Sequence, residues 1–213
     1  MESRAIKIYA PMNKKLAMKI IPGHFATSNS HISQYIDLTS MKTRISEAAE
    51  AARILAKQYV NSTIVDTIVC LDGCEVVGTF LAQELSGAGF RSMNSHQTIY
   101  VITPEFNTNG QMIFRNNNQP AVYSKNILLL AASATTGDTL RKSLDCIQYY
   151  GGIIRGISAI FSAVGNIDQI PVYSIFTAKD IPDYRSFVIG ECPMCKAKQR
   201  LEAIVGGNGY MKL

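Results

Sequence analysis

The segment that most restricts the fold of this chain lies between residues 128 and 140. It runs Leu-Leu-Leu-Ala-Ala-Ser-Ala and then Thr-Thr-Gly-Asp-Thr-Leu, which predicts a buried strand, a hydroxyl-rich turn and a helix. Backbone N–H groups converge where such a turn meets a helix, and this arrangement binds phosphate. The candidate phosphate-binding residues are Ala134, Thr135, Thr136, Gly137, Asp138 and Thr139. An ordinary strand, turn and helix without a ligand is the alternative.

The residues after this turn predict a β-α-β unit. Leu140 and Leu144 recur at helical spacing, and Gly151 with Gly152 predicts the end of that helix. Residues 153–161 then predict a further strand. Open α/β sheets bind ligands at the carboxyl ends of their strands, which is where the threonine-glycine turn falls.

The same alternation of helix and strand extends to the rest of the chain. Predicted helices cover residues 42–60 and 75–85, and predicted strands cover residues 64–71 and 98–102. Residues 104–125 are rich in asparagine and predict a loop or loose hairpin outside the core. We expect an α/β fold with a mainly parallel sheet covered by helices on both faces.

Composition narrows the class of protein. With 213 residues, 47% of them hydrophobic and 17% charged, the chain predicts one domain with a single core. A net charge of +5, spread along the sequence, suits phosphorylated anions and is too weak to indicate nucleic-acid binding. No apolar run approaches the roughly 18 residues of a membrane span, so we expect a cytoplasmic protein with reduced cysteines.

Three separated stretches resemble one enzyme family. The turn resembles the phosphoribosyl pyrophosphate loop of type I phosphoribosyltransferases. Residues 23–31, Gly-His-Phe-Ala-Thr-Ser-Asn-Ser-His, followed by Tyr35, resemble a segment near the start of orotate phosphoribosyltransferases, and Cys192-Pro193-Met194-Cys195 resembles the ending of one branch of them. The resemblance implies that fold, with a hood of about residues 1–40 plus 180–213 over a core of about residues 41–179.

The resemblance also assigns candidate site residues. It places the ribose beside Ala131, Ala132 and Ser133. It places the pyrophosphate beside a loop made of Asp72, Gly73, Cys74 and Glu75. Phe25, Ser28 and His31 belong to the region of the hood that covers the base. Mg²⁺ as cofactor and a two-fold homodimer are implied in the same way.

Two departures from the family pattern bear on activity. The family carries two acidic residues where this chain has Ala131 and Ala132, so the ribose hydroxyls lose their usual acceptors. The family's basic mobile loop corresponds to residues 103–110, Thr-Pro-Glu-Phe-Asn-Thr-Asn-Gly, where only the glycine is kept. In addition, Asp72 and Glu75 would repel pyrophosphate unless a metal intervened, or they would cap the following helix.

Two functions therefore stay open. One is phosphoribosyl transfer from phosphoribosyl pyrophosphate to a base, of the orotate type used in pyrimidine nucleotide metabolism. The other is a catalytically impaired relative that binds a phosphorylated ribose, a nucleotide or another phosphometabolite, and no catalytic residue is assigned. The departures predict that orotate transfer is absent or very weak.

The spacing of the cysteines suggests a comparison with zinc sites. Cys192 and Cys195 form half of a four-cysteine zinc site, and no second pair of cysteines follows at a suitable distance. His24, His31 and His96 show no metal-binding spacing in the sequence. We therefore assign no metal ligands, with a zinc shared across a dimer as the alternative.

Overall fold

The computed structural model describes residues 1–87, 92–95, 97–108 and 111–213. The strands are β1 Ile6–Ala10, β2 Asn13–Ala26, β3 Ser30–Asp37, β4 Thr67–Cys70, β5 Tyr100–Ile102, β6 Glu105–Phe106, β7 Met112–Ile113, β8 Asn126–Ala134, β9 Ile153–Ser162, β10 Asn166–Ile167, β11 Ile170–Thr177, β12 Ser186–Val188, β13 Ala203–Gly206 and β14 Gly209–Lys212. The α-helices are α1 Thr39–Thr43, α2 Ile45–Ala56, α3 Glu75–Gly87, α4 Asp138–Tyr149 and α5 Pro193–Lys196. Short 3₁₀ helices cover Glu2–Arg4, Gln119–Ala121 and Ala178–Asp180.

The larger element of the fold is a sheet with the strand order β10-β11-β9-β8-β4-β5. Every pairing from β11 to β5 is parallel, and β10 alone pairs antiparallel at the edge. The predicted α/β fold with a mainly parallel sheet is confirmed. Cys70, the last residue of β4, pairs with Leu130, so β8 extends four residues beyond the carboxyl end of β4.

Both faces of this sheet are buried, as its continuous apolar strands predict. Leu128, Leu130 and Ala132 of β8 pack into one core cluster together with α2 and α3. The alternate residues Leu129 and Ala131 pack into the other cluster, with α4. The two-residue period of a strand thus places the side chains of residues 128–132 alternately in the two layers.

The second sheet combines the two ends of the chain. Its order is β12-β3-β2-β13-β14, with β1 paired antiparallel to β2. β13 runs parallel to β2, so residues near 203 lie beside residues near 25. A small core of its own holds this sheet together, built from Ile21, Phe25, Ile32, Tyr35 and Ala203. We refer to this sheet, β1–β3 with β12–β14, as the hood sheet.

The predicted helix over residues 42–60 is divided and shorter in the structure. Arg44 has an extended backbone (φ −95°, ψ 128°), which separates α1 from α2. Ile45, the first residue of α2, is 71% exposed. Because of this break, the first residues of α2 do not continue the helical periodicity of a single helix.

The asparagine-rich segment is a hairpin, as predicted, but it does not lie outside the core. β6 pairs antiparallel with β7, while Met112, Phe114 and Val122 are buried against the α4 side of the large sheet. These three apolar side chains anchor a polar segment in which Asn116 and Asn117 are exposed. Among the described residues no helix is long and apolar enough to cross a membrane.

Candidate ligand-binding site

The threonine-glycine turn connects β8 directly to α4. Gly137 adopts a left-handed backbone (φ +84°) at the N-cap position, a conformation that glycine reaches without a steric penalty. A Cβ at this position would also overlap the Cδ1 atom of Ile167. Gly137 has no side chain to cap α4, and the first helical N–H, that of Asp138, donates to the Thr136 hydroxyl at 3.4 Å. The next N–H groups of the first turn have no N-cap side chain as a partner.

The three threonines of the turn face different partners. Thr135 and Thr139 line a cavity between the large sheet and the hood sheet. Thr136 instead donates its hydroxyl to the Asp138 carboxylate at 3.0 Å. That carboxylate also pairs with Arg141 at 3.4 Å. Thr136 and Asp138 thus shape the turn, while Thr135 and Thr139 offer hydroxyl groups to a ligand.

The predicted ribose residues separate into two groups. Ser133 and Ala132 line the cavity. Ala131 does not: its side chain packs with Leu129 and Leu144 in the core on the other face of the sheet. The alternation along β8 explains why one of two adjacent alanines faces the site and the other does not.

The loop after β4 brings one acidic side chain to the cavity. Asp72 (φ +55°) and Gly73 (φ +75°) both have left-handed backbones, and Asp72 lines the cavity. The Asp72 carboxylate accepts a hydrogen bond from the backbone N–H of Ala132, yet burial raises the pKa of this carboxyl above its ordinary value. Cys74 is buried in the core, and Glu75 accepts a hydrogen bond from the Thr103 hydroxyl at 2.8 Å.

Lys42 is the functional candidate that the sequence interpretation missed. Its side chain leaves α1 and donates to the backbone oxygens of Asp72 at 2.8 Å and Gly207 at 2.6 Å. The residue is only 8% exposed and lines the cavity. It lies in the short, mostly polar helix Thr-Ser-Met-Lys-Thr, so the sequence carried no signal of this role.

The C-terminal hairpin supplies another missed part of the wall. The turn between β13 and β14 reads Gly-Gly-Asn-Gly, and Gly206, Gly207 and Gly209 line the cavity. A Cβ on Gly207 would lie 3.1 Å from the Asp72 carboxylate. The glycine run therefore lets the hairpin approach the loop after β4 closely.

The residues predicted for the base-covering region are not together. Ser28 lines the cavity with its neighbours Thr27 and Asn29. Phe25 is fully buried and packs against Tyr35, with ring centroids 6.2 Å apart. Phe25 is thus part of the small core of the hood sheet.

His31 also lies away from the cavity. Its Nδ1 atom is 3.2 Å from the Sγ atom of Cys195. The side chain therefore faces the C-terminal segment of the chain and leaves the ligand space to Ser28 and its neighbours.

A second, larger groove continues from the cavity along α4. It has a volume of about 860 Å³ and shares Ser28, Asn29, Asp72 and Thr139 with the cavity. Asn29 Nδ2 donates to the Thr139 hydroxyl at 3.4 Å across the passage between them. The groove is further lined by Phe106, Met112, Lys142, Tyr149 and Tyr150.

The loop that resembles the mobile catalytic loop contributes no cation to this groove. Glu105 in β6 pairs with Arg115 at 2.8 Å. Asn109 and Gly110 of this loop lie outside the described residues, as does His96. In the described part of residues 103–110 the charged side chain is the acidic Glu105.

Few side chains of the cavity could act as ligands for Mg²⁺. Among the described residues that line the cavity, Asp72 offers the one carboxylate. Mg²⁺ commonly binds through one or two carboxylates together with substrate phosphates. Asp72 therefore fits as a single protein ligand, and phosphate oxygens and water would have to supply the others.

Comparison with known proteins identifies the fold. No protein-family model matches the chain, and no curated protein matches its sequence. The structure of orotate phosphoribosyltransferase from Mycobacterium tuberculosis H37Rv in complex with Fe(III) dicitrate is similar, at 16% identity and a TM-score of 0.51 over 76% of this chain and 90% of that chain. Adenine phosphoribosyltransferase from Thermoanaerobacter pseudethanolicus is similar at 13% identity and a TM-score of 0.51, over 83% and 96%.

A third similar structure contains a ligand. It is the mycobacterial enzyme in complex with 5-phospho-α-D-ribosyl 1-diphosphate, at 15% identity and a TM-score of 0.50, over 68% of this chain and 82% of that chain. Orotate and adenine enzymes match equally well in fold, so identity at this level does not separate their substrates. The chain has the type I phosphoribosyltransferase fold.

Proposed function

We propose that the protein binds a 5-phosphoribosyl ligand, with the 5′-phosphate at the N-terminus of α4. The observation that carries this proposal is the position of the turn: Thr135 and Thr139 face a cavity at the carboxyl ends of β4 and β8. The N–H groups of the first turn of α4 that follow Asp138, together with the two hydroxyls, are donors, as a phosphate requires. Ser133 and Ala132 then lie where the ribose would extend from that phosphate.

Charge favours binding over chemistry at this site. Departure of pyrophosphate develops negative charge, which enzymes stabilise with cations and oriented donors, each commonly worth a few kcal/mol. Lys42 lines the cavity but donates to two backbone oxygens, and the nearby Asp72 is acidic. The proposed ligand is accordingly held without strong assistance to the leaving group, and the protein acts as a binding or regulatory relative of the transferases.

Transfer of the phosphoribosyl group to a nitrogenous base is the second candidate. The groove along α4 favours it, because Phe106, Tyr149 and Tyr150 offer aromatic surface beside Thr139. A planar base packs well on such surfaces. In that reaction a ring nitrogen of the base bonds to the anomeric carbon as the bond to pyrophosphate breaks. Orotate and adenine are both candidates for this base.

Binding is tested by calorimetric titration with ribose 5-phosphate in the absence of divalent metal. Thr139→Val removes one donor to the phosphate and is expected to weaken binding about tenfold, since hydrogen bonds to charged groups contribute roughly 1.5–3 kcal/mol. Thr79→Val is the matched control, because Thr79 is exposed on α3 and its hydroxyl bonds the backbone oxygen of Glu75 within that helix. Equal affinity in both variants contradicts the proposed phosphate position.

Chemistry is tested separately by steady-state consumption of orotate and of adenine with Mg²⁺ and phosphoribosyl pyrophosphate. We expect slow turnover or none. Turnover of about 1 per second or more, lost in Thr139→Val and kept in Thr79→Val, would establish the transferase instead.

The assembly state belongs to the same proposal. We propose a single-domain, cytoplasmic protein that forms a two-fold homodimer, because neighbouring subunits complete the sites of the family it resembles. Sedimentation at micromolar concentration checks the dimer, and a species near 23.4 kDa would contradict it.

A further inference from the structure

Four side chains with metal-binding chemistry meet beneath the hood sheet, away from the cavity. They are His24 of β2, His31 of β3, Cys192 at the start of α5 and Cys195 within α5. Their ligand atoms all lie within 4.8 Å of one another. We call them the histidine-cysteine cluster. The proposed ligand binding uses none of them.

Four of the separations within the cluster lie close to those of a tetrahedral centre. His24 Nε2 lies 3.2 Å from His31 Nδ1, 3.5 Å from Cys192 Sγ and 3.6 Å from Cys195 Sγ. Cys195 Sγ lies 3.2 Å from His31 Nδ1. Zinc bonds of about 2.3 Å to sulfur and about 2.0 Å to nitrogen place neighbouring donors of a tetrahedron about 3.3–3.8 Å apart.

The imidazole of His24 is oriented for coordination. Its Nδ1 lies 2.9 Å from the backbone oxygen of Gln199, so Nδ1 carries the proton and donates. Nε2 then directs its lone pair at the other three ligand atoms. A metal-ligating histidine commonly makes this kind of bond with its second nitrogen, which fixes both tautomer and ring orientation.

The backbone around the cluster explains how the four residues converge. The pairing of β2 with β3 shifts register between Pro22 and Phe25, a bulge that contains His24. Bulges re-aim side chains, and here the bulge allows His24 and Phe25 to be buried in succession. Pro193 begins α5, whose single turn presents both cysteines to the same point.

Burial is uneven across the cluster. His24 and Cys192 are fully buried, whereas His31 is half-buried and Cys195 is exposed. An ion can therefore reach the cluster from the side of Cys195. Two thiolates and two imidazoles in a tetrahedron select Zn²⁺ over Mg²⁺ or Ca²⁺, which prefer oxygen ligands.

We propose that His24, His31, Cys192 and Cys195 bind one Zn²⁺ that joins the C-terminal segment to strands β2 and β3 of the hood sheet. The two thiols release their protons to water as their sulfurs bond to the ion, and no group is oxidised or reduced. All four ligands come from one chain, so the ion is not shared across a dimer. A second pair of cysteines would complete a four-cysteine site, and in the structure two histidines take that place.

The test measures zinc in untagged protein, purified in reducing buffer without chelator. Emission spectrometry is expected to give about one zinc per chain, as four protein ligands predict. Cys195→Ser and His31→Gln are each expected to weaken zinc affinity more than tenfold. Cys146→Ser, which lies outside the cluster, is expected to retain full zinc content.

A spectroscopic readout separates loss of the site from loss of folding. Co²⁺ added to the zinc-free protein should give thiolate-to-cobalt charge-transfer and tetrahedral bands in wild type and Cys146→Ser, and these should be lost in Cys195→Ser. Far-ultraviolet circular dichroism confirms that each variant is folded. Less than a tenth of a zinc per chain after incubation with Zn²⁺, a Cys192–Cys195 disulfide that persists in reductant, or unchanged affinity in Cys195→Ser would overturn the proposal. None of these results depends on ribose 5-phosphate binding.

Discussion

The threonine-glycine turn and the histidine-cysteine cluster are built in opposite ways. The turn consists of consecutive residues, from Ser133 on β8 to Thr139 on α4, and its shape depends on local backbone geometry. The cluster joins residues as far apart as His24 and Cys195, and it exists only when both ends of the chain share one sheet. The position of the turn therefore depends on the large sheet, whereas the cluster forms only through the hood sheet.

This difference teaches where each kind of perturbation should act. A change in the turn alters the anion site and leaves the hood sheet intact. A change in the cluster loosens the attachment of the C-terminal segment and leaves the turn intact. Lys42 connects the large sheet to the hood sheet, because it joins the loop after β4 to the C-terminal hairpin.

The largest effect is expected at Gly137. Gly137→Ala places a side chain at φ +84° and against Ile167, so the turn must distort. We expect a loss of about 2–4 kcal/mol in the free energy of unfolding, from left-handed strain and overpacking together. Ribose 5-phosphate affinity should fall more than tenfold while zinc content is unchanged.

Gly165→Ala is the control for this substitution. A Cβ at Gly165 meets open space, and its backbone is not left-handed. Denaturant titration and calorimetry on both variants measure the two effects. If Gly137→Ala binds ribose 5-phosphate like wild type, the turn is not the anion site.

An intermediate effect is expected at Lys42. Lys42→Met keeps an unbranched side chain one atom shorter and removes the donor to Asp72 and Gly207. Two backbone carbonyls would lose a charged hydrogen-bond partner, which should cost about 1–3 kcal/mol in unfolding free energy. Urea denaturation measures this loss.

Limited proteolysis of Lys42→Met shows whether the C-terminal hairpin is released. Cleavage confined to residues after 200 would show that Lys42 couples the hairpin to the large sheet. Wild-type stability together with wild-type cleavage would show that Lys42 does not couple the hairpin to the large sheet.

The smallest effect is expected at Asp72. Burial raises the pKa of Asp72 in the folded protein, so the fold favours the protonated form and loses stability as pH rises through that pKa. Asp72→Asn removes this loss. Its unfolding free energy should match wild type near pH 3 and exceed it at pH 7.

Asp72→Asn also distinguishes repulsion from metal bridging. Removing a negative charge near the cavity should tighten pyrophosphate binding about fivefold without Mg²⁺, an amount typical of a screened charge pair. If Asp72 holds Mg²⁺, the variant should bind pyrophosphate more weakly when Mg²⁺ is present. Titrations with and without the ion decide between these outcomes.

The sequence predicted the features that depend on neighbouring residues. The strand, turn and helix of residues 126–149 were recognisable because apolar run, glycine and helical period are local patterns. The division of helix 42–60 at Arg44 was not predicted, since no glycine or proline marks it. The burial of Phe114 was hidden by the asparagines around it.

The sequence did not predict the parts of the site that come from residues far apart in the chain. Lys42, Gly207 and Asp72 meet through tertiary structure, and no spacing in the sequence encodes that contact. His31 was assigned to the base-covering region from the family resemblance, but its ring lies beside Cys195 and does not line the cavity. Strand alternation could have separated Ala131 from Ala132, had the face of β8 that meets the cavity been known.

A crystal structure with ribose 5-phosphate tests the central claim most directly. The account predicts the phosphate at the first turn of α4, within hydrogen-bond distance of the Thr135 and Thr139 hydroxyls and the backbone N–H groups of the turn, with the sugar beside Ser133. A phosphate ordered elsewhere, with the turn empty at saturating ligand, would contradict it.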